Sequence, residues 1–274
     1  MRLILGGAQF GLAYGATNRA GAKAGAQVLD VAAGGGIDLI DAAAAYGDAE
    51  AALGSLGAAS RFGLITKTLP LKVAGSVDAV IARLAQSFAL LGVQVLDAVL
   101  VHHAGALAGA DGAALWAHLT ELKAQGRIRA IGFSAYLDDA PVAIARRLRP
   151  DIVQLPASLL DQRPVLTGTL DALTDLGAAV HVRSIFLQGR LLADAPGPGA
   201  HAITAVRERL TAGGVAPMAA ALGWIADQPA LAAAIVGVTT ADELAAILST
   251  KPARGLDWPA FALDDPEALD PRRW

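Results

Sequence analysis

Short apolar runs of strand length alternate along this chain with longer, Ala-rich stretches of helical length. The runs RLILGGAQ, IDLIDAA, FGLITKT, LDAVLVHH, IRAIGFSA, DIVQLPA, AAVHVRSI and AAIVGVT predict eight strands. Between them the pattern predicts helices over Ala24–Gly34, Ser76–Leu91, Ala113–Gln125, Pro141–Leu148, Leu166–Leu176 and Ala202–Leu210, with two more over Ala216–Asp227 and Asp242–Leu248. Gly34–Gly36, Gly92, Gly126 and Gly177 stand where a left-handed residue ends a helix. Strand and helix in repeated alternation imply parallel pairing with right-handed crossovers. An open, doubly wound sheet satisfies the same pattern. Eight units in 274 residues, without a dominant glycine fingerprint after the first strand, favour a closed (β/α)8 TIM barrel. Val, Ile and Leu on both parities of the strands suit a sheet covered by helices. With no internal repeat or linker, residues 1–274 read as one domain. Leu191–His201, carrying Pro196 and Pro198, reads as the one long loop free to move.

Composition narrows the function classes. There is no cysteine, which removes disulfides, thiolate zinc sites and cysteine nucleophiles together. The net charge of −3 and the lack of a basic run argue against a nucleic-acid partner. Mean hydropathy is +0.48, but Ala and Gly inflate it, and no uninterrupted apolar stretch of about 20 residues is present to span a bilayer. The opening MRLILGGAQFG is too short in its apolar run for a secretion signal, so the expectation is a cytoplasmic chain without a membrane partner.

Four polar residues stand where apolar runs end. They are Asp41 and Tyr46 in IDLIDAAAAYGDAE, Lys67 in GLITKT and His102 in LDAVLVHHAG. Strand ends are where an alternating α/β chain builds its sites. Asp41 alone reads equally as the cap of the next helix. Lys67 changes that, because a lysine ending an apolar barrel strand needs a partner, and neighbouring strand ends bring it near Asp41. Tyr46 alone is a surface tyrosine. Beside Lys67 it gains a role, since a free phenol has a pKa of about 10 and an adjacent ammonium favours its ionised form. That suits a proton donor to a forming alkoxide. His102 and His103, as consecutive strand residues, point to opposite faces, so one faces the site and the other faces outwards or caps the strand. The HxH pattern of a metal hydrolase is missing, and no metal is expected.

For phosphate, Gly6, Gly7 and Gly11 do not have the GxGxxG spacing. IVGVTTADELAAIL offers a strand, a turn and a helix opening whose free N–H groups suit an anion. Thr240 and Glu243 also form a capping box, which is the ordinary account of the same residues.

The order and wording of these segments resemble the aldo-keto reductase family. GGAQFGLAYG, DAAAAYGDAE, TKT, VLVHH, IGFSA, DIVQLPASLLDQR, HVRSIFLQGRLL and IVGVTTADELAAIL follow its succession, and LDPRRW is similar to the ends of bacterial members. The resemblance implies hydride transfer between NADP or NAD and a small-molecule carbonyl or alcohol. Tyr46 would be the general acid, Lys67 its tuner, Asp41 the partner of Lys67, and His102 the group orienting the carbonyl. Ser134 and Gln154 would hold the carboxamide, Arg183 would stack on the nicotinamide with Ser184 beside it, and Gly237, Thr239, Thr240 and Glu243 would line the adenosine phosphate site. Ala135, Ile185 and Ile247 depart from the family's usual Asn, Pro and Asn, and no Lys or Arg follows Gly237. A 2′-phosphate normally draws on such a cation, so NAD competes with NADP, unless Arg190, Arg207 or Arg209 supplies the charge. Phe10, Tyr14, Tyr136, Arg163 and the Leu191–His201 loop are the expected substrate walls. Two rival readings are a Schiff-base lyase built on Lys67 and a non-catalytic barrel that binds the cofactor.

Overall fold

A computed structural model describes residues 2–13, 15 and 23–274. Eight parallel strands close into a barrel in sequence order: β1 (Leu3–Gly6), β2 (Leu39–Asp41), β3 (Gly63–Lys67), β4 (Leu96–Val101), β5 (Ile128–Ser134), β6 (Ile152–Pro156), β7 (Ala179–Arg183) and β8 (Leu231–Val236). Pairing of β1 with β8 through Leu3–Ala234 and Ile4–Ile235 completes the ring. Each expected strand is present; β1 to β7 are shortened at one or both ends, and β8 starts two residues earlier than expected, at Leu231, and stops at Val236.

The alternation of side chains along the strands explains both core layers. One parity sends Leu5, Ile40, Leu64, Val99, Val153 and Val180 outward, into a large cluster shared with the helices. The other sends Ile4, Ile65, Ala98, Leu100, Ile152, Ala233 and Ile235 into a small apolar plug inside the barrel. Continue that inward parity by two residues and it reaches Asp41, Lys67, His102, Ser134, Gln154, His181 and Gly237. The polar set is therefore the next layer of the barrel filling.

The helices follow the expected order. Ser76 caps Val77–Leu91 by accepting from Ala79 N at 3.2 Å, and Gly92 ends that helix at φ 69°. Pro141 opens Pro141–Leu148, where its missing N–H costs nothing. The helix Ala49–Ser55 was not expected from the pattern. Its Glu50 is buried and accepts from Thr66 Oγ1 at 2.6 Å, Arg83 Nη2 at 2.6 Å and Ser87 Oγ at 3.0 Å, so the carboxylate ties three elements together. The segment expected to move freely is tied back: Leu191 is buried and Arg190 Nη2 donates to Pro198 O at 2.6 Å, while helix already begins at Ala200. Among the described residues no helix is long and apolar enough to cross a membrane.

Candidate active site

Register brings the ends of β2 and β3 together, with Asp41 opposite Ile65 and Lys67 two residues beyond it on the same inward parity. Lys67 is almost wholly buried, and its Nζ donates to Asp41 Oδ2 at 2.5 Å, Ala42 O at 3.2 Å and Tyr46 Oη at 3.4 Å. Burial pushes the lysine pKa down, but the Asp41 and Tyr46 interactions outweigh it and the net shift is upward. The ammonium is therefore fixed in its charged form. Asp41 serves as that ion's partner rather than as a helix cap, and its other oxygen accepts from Gln154 Nε2 at 3.0 Å. Tyr46 is placed by a close backbone contact. A Cβ on Gly11 would lie 1.9 Å from Tyr46 O, so only glycine lets the segment after β1 pack against the Tyr46 turn.

A cavity of about 590 Å³ opens at the C-terminal end of the barrel, with Asp41, Tyr46, His102, Ser134, Gln154, Arg183 and Ser184 on its wall. Lys67 does not line it. The His102 ring meets the Tyr46 ring edge-on, with centroids 5.8 Å apart. Burial, and after it the charges of Lys67, His103 and Arg183, push the His102 imidazole down to about 3, so it is neutral at ordinary pH. His103 also lines the cavity, contrary to the parity expectation, because β4 ends at Val101 and strand alternation no longer governs the pair. His102 is nonetheless the one against Tyr46.

Among the described residues, three buried polar atoms on this wall lack hydrogen-bond partners: Gln9 Oε1, His102 Nδ1 and Gln154 Oε1. Unpaired buried acceptors cost about 1–3 kcal/mol each, so a ligand bearing donors fits here. Gln9 was not anticipated; its amide lies against β8, where a Cβ on Gly237 would come within 2.6 Å of it. At the same end Gly237, Val238, Thr239, Glu243, Ala246 and Ile247 line the cavity. Glu243 Oε2 already accepts from Thr239 N at 2.7 Å and Thr240 N at 3.2 Å, and Thr240 Oγ1 accepts from Glu243 N. Thr240 thus caps the helix Ala241–Ser249 and is absent from the cavity wall.

The exit of β7 carries positive φ at Ser184 (61°), Leu187 (49°) and Gln188 (54°), a conformation that costs free energy and recurs at ligand-binding loops. Arg183 stacks on Tyr136, with its guanidinium carbon 4.4 Å from the ring centroid, and Arg272 from the C-terminal tail stacks on the same ring at 3.7 Å. Tyr136, Asp139 and Arg272 all line the cavity. Of the expected substrate walls, Tyr136 and the loop residues Leu192 and Ala193 are there. Phe10 is buried in the core, Arg163 pairs with Asp161 away from the cavity, and Tyr14 lies outside the described residues. None of the three arginines considered for a phosphate reaches it. Arg190 serves Pro198 O and stacks on Trp274, Arg207 pairs with Asp194, and Arg209 serves Ala260 O. Among the described residues no three metal-ligating side chains converge.

A closed (β/α)8 barrel with a buried lysine and carboxylate beside a half-buried phenol and imidazole at its C-terminal mouth defines the class of enzyme in which such a mouth is the reaction site. This chain belongs to the aldo/keto reductase family, whose model matches residues 2–251. It is accordingly an oxidoreductase of the carbonyl/alcohol type. Among solved structures it is similar to the aldo-keto reductase AKR11C1 from Bacillus halodurans in its holo form, at 20% identity over 100% of this chain and 95% of that one, with a TM-score of 0.74. It is also similar to an aldo-keto reductase from Pseudomonas aeruginosa, at 24% identity over 90% of this chain and 88% of that one, with a TM-score of 0.62. No curated protein matches it.

Proposed function

We propose that this chain interconverts an aldehyde, ketone or sugar carbonyl and its alcohol, with Tyr46 as general acid and base and a nicotinamide dinucleotide as cofactor. The observation that carries the reading is the Lys67 ammonium, which joins Asp41 and Tyr46 Oη while being walled off from the cavity that Tyr46 and His102 line. The bound dinucleotide would supply the hydride. Tyr46 Oη donates its proton to the carbonyl oxygen, and the neighbouring Lys67 ammonium stabilises the phenolate left behind. His102, neutral, offers a ring nitrogen to hold that oxygen in place. The orphan Gln154 Oε1, with Ser134 beside it in register, suits the N–H groups of a carboxamide. Replacing Tyr46 by Phe tests the mechanism: turnover should fall by about 10²–10⁴ with cofactor affinity nearly unchanged. Normal turnover would refute it.

The cofactor end favours weak discrimination between NADP and NAD. Glu243 holds the Thr239 and Thr240 amides that an anion would need, and its carboxylate repels a 2′-phosphate. Among the described residues no lysine or arginine lines that end of the cavity. Fluorescence titration with NADPH and NADH side by side should give dissociation constants within about 100-fold of each other, and a stronger preference for NADPH would overturn this. A Schiff-base role for Lys67 is disfavoured, because a protonated ammonium outside the cavity is neither nucleophilic nor within reach of a substrate carbonyl. Borohydride with substrate should therefore leave Lys67 unlabelled.

A further inference from the structure

The two ends of the cavity differ in charge. Arg183 and Arg272 differ in how far neighbouring carboxylates compensate their charge. Arg272 Nη2 and Nε are held by Asp138 and Asp270 at 2.6–3.0 Å, so its charge is more than matched. Among the described residues Arg183 has no carboxylate partner, and its Nη1 donates to Tyr136 Oη at 3.4 Å. Asp139, an acid on the same wall, accepts from Tyr136 N at 2.8 Å. Arg183 is half-buried, faces the cavity, and is close enough to His102 to help depress that imidazole. A guanidinium held flat on an aromatic ring is pre-ordered, and its unused N–H groups form the planar fork that matches a carboxylate.

We propose that Arg183, set on the Tyr136 ring, is an anion-recognising group for the substrate, and that the substrate is a carbonyl compound carrying a carboxylate. One uncompensated positive charge is balanced by one negative charge, which favours a carboxylate over a doubly charged phosphate. The proposal rests on the carbonyl-reductase reading of the same cavity, and deepens it by naming the substrate class.

The test compares 4-carboxybenzaldehyde with 4-carbamoylbenzaldehyde, which have the same shape and reacting group and differ in charge. In the wild-type protein kcat/KM should favour the acid by about 10- to 150-fold, the usual worth of a charge-assisted pair. Arg183→Gln should bring the ratio to about one. Because both aldehydes use the same cofactor, any effect of Arg183 on cofactor binding cancels in the ratio. A wild-type ratio near one, or a ratio that survives Arg183→Gln, overturns the proposal while leaving the reductase reading intact. If neither aldehyde turns over, the reductase reading is what has failed. Calorimetric titration with 4-carboxybenzyl alcohol then decides the subsite: binding that disappears in Arg183→Gln supports it, and no binding to the wild type, or equal binding to both, overturns it.

Discussion

The two ends of the barrel use the same kinds of ion pair to different effect. At the N-terminal end Arg2 pairs with Asp38 at 2.9 Å and Arg129 with Asp97, on side chains that are 26–67% exposed. At the C-terminal end Lys67 pairs with Asp41 where both side chains are at most 4% exposed. Water screens the first kind, and such pairs are worth about 0–1 kcal/mol. The second kind is an interaction between groups that have lost their hydration, so each depends on the other to remain charged. Between them lies the apolar plug of Ile4, Ile65, Leu100, Ile152 and Ile235, which sets the two groups of charges apart along the barrel. One end tethers strands at the surface, while the other holds a fixed ammonium beside a phenol.

Breaking the buried pair should have the largest effect. Lys67→Met should abolish turnover and destabilise the protein by about 3–5 kcal/mol, because it leaves the Asp41 carboxylate buried without its cation. A denaturant midpoint close to that of the wild type would show that Asp41 does not depend on Lys67. Lys67→Arg restores the charge but not the compact ammonium, and should fold better than Lys67→Met while remaining poorly active.

The histidines sharpen the same contrast within the catalytic end. Alanine at His102 should reduce turnover more than alanine at His103, since only the His102 ring meets Tyr46. A larger loss at His103, assayed with the same carbonyl, would reverse their roles.

A smaller effect separates pH from catalysis. Burial lowers the His102 pKa to about 3 and the His181 pKa to about 4. The unfolded chain binds these protons first, near pH 6.5, so the stability the histidines contribute is present above that pH. It is lost as pH falls toward 4, at no more than about 1.4 kcal/mol per pH unit for each. His181→Asn should flatten the fall in denaturation midpoint between pH 6.5 and 4.5, and an unchanged slope would mean that His181 is already protonated in the fold. At the opposite end of the barrel, Arg129→Ala should change stability by less than about 1 kcal/mol, and less still at high salt. A larger loss would mean that the surface pair does more than tether strands.

Much of the barrel was legible because strand and helix periods differ, and eight apolar runs of the first kind were separated by stretches of the second. The helix Ala49–Ser55 escaped that pattern because it is only seven residues long and its inward residues are Ala49, Leu53 and a glutamate, Glu50, whose burial is explained only by Thr66, Arg83 and Ser87 arriving from elsewhere. Gln9 and Arg272 escaped for a similar reason. One lies in a glycine-rich turn and the other in the last few residues, and neither position signals a cavity. Arg190, Arg207 and Arg209 looked free in the sequence, yet each is engaged by the tail or its neighbours.

Asp41, Lys67 and the His102–His103 pair could be named from the sequence because strand ends are local properties, written in the spacing of apolar residues, whereas Ser134 and Gln154 were named only through the family resemblance. Which charges are compensated is not local. That Lys67 is locked to Asp41, and that Arg183 stands without a carboxylate partner among the described residues, depend on groups distant in the chain. Only closure of the barrel and docking of the C-terminal tail bring those groups within hydrogen-bond range, because electrostatic compensation acts over a few ångströms of space regardless of separation along the chain.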